Sequence, residues 1–124
     1  MNRAIDLVTR HLESWNTRDN EVISKTIAFP FVQYDQDGSM IMYADRSELF
    51  DFSALNSFTT SLEDAEVVLS GPLVSVVKLG FRWEYPEQDF IGIGDAVWGL
   101  EDRNGDFYLR WRQFIGWRDD VKPK

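Results

Sequence analysis

"HLESWNTRDNEVISKTIAFPFVQYDQDGS", residues 11–39, holds a helix end, a short capped helix, a proline break and a hairpin turn in succession. Upstream, residues 2–16 repeat at helical period. Ala4, Ile5, Val8, Leu12 and Trp15 fall on one side, with Arg3, Asp6, Arg10 and Glu13 opposite. "WNTRDN" ends that helix, and Asp19 or Asn20 is placed to cap a second one holding Val22, Ile23 and Ile27. Pro30 is expected to stop it, since proline lacks an amide donor and disfavours α geometry at the residue before it. "FVQYD" and "SMIMYA" then flank an Asp-Gly turn, a hairpin signal.

Further along, "DRSELFDFSALNSF" (residues 45–58) predicts a third helix capped by Asp45 or Ser47. From residue 62 the pattern changes to strands: "EDAEVVLS", "LVSVVKLGFRWEY", "FIGIGDAVWGLE" and "FYLRWRQFIGWR", separated by turn-forming residues. The last three are long, so their sheet must curve or be covered, and glycines 80, 92, 94 and 99 suit bends or close approaches. Helices followed by a run of antiparallel strands make an α+β fold with helices on one face of the sheet. Alternation puts Leu73, Val77, Leu79, Phe81, Trp83 and Tyr85 on one side of the longest strand. In the last strand it groups Phe107, Leu109, Trp111, Ile115 and Trp117 against Tyr108, Arg110, Arg112 and Arg118.

The 124 residues suit a single domain, expected over 1–118 with 119–124 as a solvated tail. Thirteen basic against twenty-one acidic residues give a net charge of −8. Such a field disfavours nucleic acid and anionic membrane as partners. With no cysteine, thiolate nucleophiles, disulfides and cysteine-ligated zinc are excluded. The first fifteen residues carry charges throughout and lack the apolar core of a signal peptide, so a soluble cytoplasmic protein is expected. One histidine cannot make a histidine-rich metal site, so no dedicated metal centre is expected, and no dinucleotide, phosphate-loop or nucleophile-elbow motif is present. No cofactor is expected. Five Trp, nine Phe and four Tyr suit either a cavity lining or a sheet-to-sheet homodimer.

Three residues are candidates for acid–base chemistry. Asp35 shares strand parity with Phe31 and Gln33; it is either a base raised by burial among aromatics or a turn residue of the tip "DQDG". Asp95 interrupts Ile91, Ile93 and Val97, where an acid is expensive unless protonated, functional or paired with Arg110 or Arg112. His11, the only histidine, borders the helix's apolar stripe; it is either a proton-transfer group or a boundary side chain with one backbone contact. Arg110, Arg112 and Arg118 read either as an anion clamp or, preferably, as a solvated or dimer-facing surface paired with Glu84 and Glu101.

The order of elements, and "HLESWNTRDNEVISKTIAFPFVQYDQDGS" in particular, resembles the nuclear-transport-factor-two-like superfamily, which includes ketosteroid isomerase and the SnoaL-like cyclases. The resemblance implies a cone-shaped, curved, mainly antiparallel sheet with three N-terminal helices on its concave face. Aligned on "WNTRD", the ketosteroid isomerase pattern implies an oxyanion donor at His11, where that family has tyrosine. It implies a general base at Asp35 and a second oxyanion donor at Asp95. Two readings follow. The first is a cofactor-free isomerase, dehydratase or cyclase for a small hydrophobic molecule, with Trp15, Phe31, Gln33, Phe50, Phe58, Trp83 and Trp98 lining the pocket. The second is a non-catalytic ligand-binding or dimerisation module of the same fold. An enzyme needs His11, Asp35 and Asp95 around one enclosed cavity; a binding module has Asp35 outside, or the cavity filled by aromatic side chains.

Overall fold

Leu7, Val8, Leu12 and Trp15 lie buried along one side of the first helix, α1 (Arg3–Trp15), as the period of its sequence requires. The computed structural model describes residues 3–45, 58–85 and 90–118. Arg18, in the left-handed region at φ 55°, turns the chain out of α1. The Asp19 carboxylate then accepts from the Glu21 amide and caps α2 (Asn20–Ser24). Two helices stand among the described residues rather than the three expected. The third falls on residues 46–57, which lie outside them together with Phe50.

Six strands form one mixed sheet: β1 (Ile27–Tyr34), β2 (Met40–Tyr43), β3 (Thr59–Ser70), β4 (Val74–Tyr85), β5 (Phe90–Arg103) and β6 (Asp106–Trp117). Their order is β2-β1-β6-β5-β4-β3, with β1 and β6 parallel and the other neighbours antiparallel. Pro30 does not end α2, which stops at Ser24. It sits inside β1, within the break in pairing to β6 between Ile27 and Val32, where its missing amide loses no ladder bond. The hairpin β1–β2 closes as the Asp-Gly turn predicts, with Gly38 at φ 89°.

Asn16 ties α1 to the sheet. Its side-chain amide donates to the Thr60 carbonyl at 3.0 Å and its oxygen accepts from the Thr60 amide at 2.8 Å, imitating a strand neighbour for the start of β3. Under α1 the core gathers Phe31, Val77, Leu79, Ala96, Trp98, Leu100 and Leu109. Burial of such side chains contributes roughly 1.5–3 kcal/mol each.

Simple alternation fails in β6. Leu100 pairs with Leu109 but Gly99 with Trp111, and Ala96 pairs with Phe114 but Asp95 with Gly116. Each step inserts one extra β6 residue, Arg110 and then Ile115, and each bulge reverses the faces beyond it. Trp111 therefore lies against Gly99 on the sheet's outer face, away from α1, and Ile115 is exposed. Arg112 turns inward, towards Trp15 and Phe31, and Arg118 turns outward. The three arginines do not share a face. No helix among the described residues is long and apolar enough to cross a membrane.

Candidate functional site

The side of the sheet facing α1 carries a connected series of aromatic rings. Phe58 stands 6.4 Å from Trp15 and 5.1 Å from Trp83 between ring centroids. Trp83 and Trp117 meet edge to face at 6.0 Å, and Phe114 meets Trp117 at 5.5 Å. Trp15 and Phe58 are buried, whereas Trp83, Tyr85, Phe114 and Trp117 are half-buried and keep one side open to solvent. Burial raises the Tyr85 hydroxyl above its usual pKa, against a lowering influence from the Arg18 charge. Arg18 itself lies 4.3 Å above the Phe58 ring and donates to the Phe58 carbonyl at 2.6 Å.

Arg112 is a second charged member of this wall. Its guanidinium carbon lies 5.3 Å from the Trp15 ring centre and 5.4 Å from that of Phe31. Nε and Nη2 both donate to Oε1 of Gln33, at 3.1 and 2.6 Å. Burial lowers its pKa to about 10, with Tyr43 and Asp35 acting in the opposite direction. Tyr43, stacked on Phe31 at 5.8 Å, completes this end. Of the expected lining residues that are described, Trp15, Phe31, Gln33, Phe58, Trp83 and Trp98 all belong to this inner side. Trp98 lies beneath it in the core, 5.2 Å from the His11 ring. Sequence reading grouped Arg112 with Arg110 and Arg118 on one face, preferably a solvated or dimer-facing one, because the bulge at Arg110 leaves no trace in the alternation.

His11 is fully buried. Trp15 Nε1–H donates to its Nε2 at 3.1 Å, and its Nδ1 lies 2.7 Å from the Thr26 hydroxyl oxygen. Thr26 spends its own proton on the Ile23 carbonyl at 2.9 Å, so Nδ1 must be the donor to it. The ring is neutral and both nitrogens are used. Burial, and then the Arg112 charge, hold its pKa well below the usual histidine value.

Asp35 is exposed at the end of the hairpin. Its backbone, not its carboxylate, closes the turn: its amide donates to the Ser39 carbonyl at 2.9 Å and its carbonyl accepts from Gly38 at 3.0 Å. The side-chain cap comes from Asp37, which accepts from the Ser39 amide at 2.9 Å and is held below the usual carboxylate range by that bond. Asp95 points to the outer face. Arg118 bonds it through Nε and Nη2, at 3.1 and 2.9 Å, and reaches Asp64 on β3 at 3.0 Å. These three residues and Lys78 line an open groove of about 320 Å³. Gly80 makes this possible, since a Cβ there would collide with the Arg118 guanidinium. The ion pair expected for Asp95 is present, but with Arg118 rather than Arg110 or Arg112.

No protein-family model and no curated protein matches the sequence. Solved structures do match the fold. A protein of unknown function with a cystatin-like fold from Nostoc punctiforme superposes with a TM-score of 0.75 at 14% identity, covering 96% of this chain and 91% of its own. An NTF2-like protein of unknown function from Pseudomonas putida gives 0.71 at 16% identity, covering 97% and 94%. The chain has the nuclear-transport-factor-two-like fold. A third structure with this fold, a putative calcium/calmodulin-dependent protein kinase II association domain from Xanthomonas campestris, gives 0.72 at 11% identity, covering 95% and 87%.

Within the nuclear-transport-factor-two-like fold, the three aligned acid–base positions do not converge here. His11 is enclosed behind the aromatic wall, Asp35 stands in solvent at a turn, and Asp95 is on the opposite face of the sheet. Among the described residues no group of three or more His, Asp or Glu side chains is placed to hold a metal ion.

Proposed function

We propose that this chain is a non-catalytic binding module for small hydrophobic molecules, taken up against the inner aromatic wall. The observation that carries this reading is the separation of His11, Asp35 and Asp95 into three environments, while Trp15, Phe58, Trp83, Phe114 and Trp117 converge on one. General acid–base chemistry needs its groups within hydrogen-bond reach of one reacting centre. Apolar binding needs only half-open rings and a few polar groups to fix orientation. Calorimetric titration with the neutral probe 2-naphthalenemethanol tests it. Saturable binding near one molecule per chain, weakened by Trp83→Ala, is expected; no heat of binding at millimolar probe refutes it.

A second property is supported by the outer face, which fits a homodimer packed sheet to sheet. Trp111 covers Gly99 there, and Ile91, Ile115 and Val74 are exposed hydrophobic side chains. Arg110–Glu101, Arg82–Glu84 and Arg118–Asp95 pair their charges within the same face, so two strongly acidic chains can approach there with little repulsion. That the similar Xanthomonas structure is described as an association domain agrees with such assembly.

A further inference from the structure

Thr60, near the start of β3, spends its amide and its carbonyl on the Asn16 side chain. Opposite it on β4 stands Trp83. With the Thr60 backbone groups turned to Asn16, this antiparallel pair is of the kind that exchanges no backbone bonds, in which opposed side chains stand closest. Both side chains point to the same face, and Trp83 packs on the core side of the sheet. Thr60 therefore enters the aromatic wall beside Trp83, with only 3% of the residue exposed. Its hydroxyl is enclosed there without a hydrogen-bond partner among the described residues. Such a group is costly to keep in an apolar setting, and a valine of the same shape would avoid the cost. A trapped water is a poor remedy, because it needs several polar partners and the backbone groups of Thr60 are already used.

We propose that the hydrophobic ligand of the inner wall carries one neutral hydrogen-bonding group, a hydroxyl or a carbonyl, that pairs with the Thr60 hydroxyl while its apolar body lies against Phe58 and Trp83. The proposal rests on the binding reading above and narrows it to a ligand class. Neutrality follows from the partner. One hydroxyl balances one uncharged donor or acceptor, but it leaves a buried charge largely uncompensated. Trp83, half-buried, is the side chain that yields as the ligand reaches the hydroxyl.

Thr60→Val removes the hydroxyl and keeps the volume. Two probes are titrated against it and against the unmutated protein: 2-naphthalenemethanol, and 2-methylnaphthalene, which lacks the polar group. Binding is read from the Trp83 indole N–H resonance. The variant should melt at or above the temperature of the unmutated protein, since it loses only an unpaired group. It should bind the alcohol about three- to tenfold more weakly and the hydrocarbon within about twofold of the unmutated protein. A lower melting temperature would mean that the hydroxyl already has a partner within the fold, and overturns the proposal. An unchanged affinity for the alcohol, or an equal loss for both probes, also overturns it and leaves the hydrophobic site standing. Binding of neither probe to the unmutated protein refutes the binding reading itself.

Discussion

The indole N–H of Trp15 donates to Nε2 of His11, one turn earlier on the same helix, at 3.1 Å. This bond makes Nε2 an acceptor, places the ring proton on Nδ1, and leaves no site for a second proton without breaking the pair. A group in the position where the resemblance implied an oxyanion donor is instead a structural link between α1 and Thr26.

Because the chain has one histidine, its imidazole nitrogens can be assigned without ambiguity. Nitrogen NMR should show the Nδ1–H tautomer, unchanged as pH falls through 6.5. The folded pKa lies below the unfolded value, so the unfolded chain takes up the proton first. Stability from this residue is therefore complete above about pH 6.5 and is lost as pH falls below it. The melting temperature should be flat from pH 7 to 8.5 and decline from 6.5 to 5. A His11→Gln variant should melt lower throughout but lose that slope.

Asp35→Asn should leave both the melting temperature, within about 2 °C, and the affinity for 2-naphthalenemethanol unchanged, since the turn uses only the Asp35 backbone. Gly38→Ala should be the damaging change in the same hairpin. At φ 89° a Cβ costs about 1 kcal/mol, to be read from denaturant unfolding. A large loss of probe binding in Asp35→Asn would place the carboxylate in the site after all.

Gly99→Ala should destabilise by about 1–3 kcal/mol, because the new methyl would occupy the volume of the Trp111 indole. Trp111→Ala in the same chain should recover part of the loss. If the double variant is no more stable than Gly99→Ala alone, the seating of the Trp111 indole over Gly99 is not what fixes glycine there.

The homodimer is tested by sedimentation at micromolar concentration, where a mass near twice 14.5 kDa is expected. Trp111→Glu should yield monomers by placing an unpaired charge in the centre of the interface. A monomeric unmutated protein would refute the assembly.

Residues 11–39 were legible where local chemistry decides the outcome: the period of α1, the Asp19 cap and the Asp-Gly turn all act over a few residues. β4 was equally clear, as Val77, Leu79, Phe81, Trp83 and Tyr85 do face the core. Pro30 misled because a proline that stops a helix is also tolerated where a strand leaves its ladder, and only the partner strand distinguishes the two. The site was half visible. Its aromatic lining followed from composition and parity, but the orientation of Arg112 depends on bulges set by the register between β5 and β6. Asp35 kept the parity of Phe31 and Gln33, yet the strand ends at Tyr34, and beyond it parity has no meaning. Asp95 was read on the correct face of its strand, but that face was taken for the buried one.

The parallel pairing of β1 with β6 has a kinetic consequence. The Leu109 amide donates to the Thr26 carbonyl at 2.7 Å, closing a loop that contains most of the chain. Among the described strands the β1–β2 hairpin meets the rest of the sheet only through β6, so it cannot join β3–β5 until β6 is in place between them. During synthesis the hairpin emerges early and waits with one edge open, bearing apolar Ile27 and Val32. Folding is thus governed by a late, long-range closure of high contact order, and a growing chain lacking β6 is the species most prone to aggregate. Pulse-labelled hydrogen exchange should find the β1 amides protected only together with those of β6, well after α1.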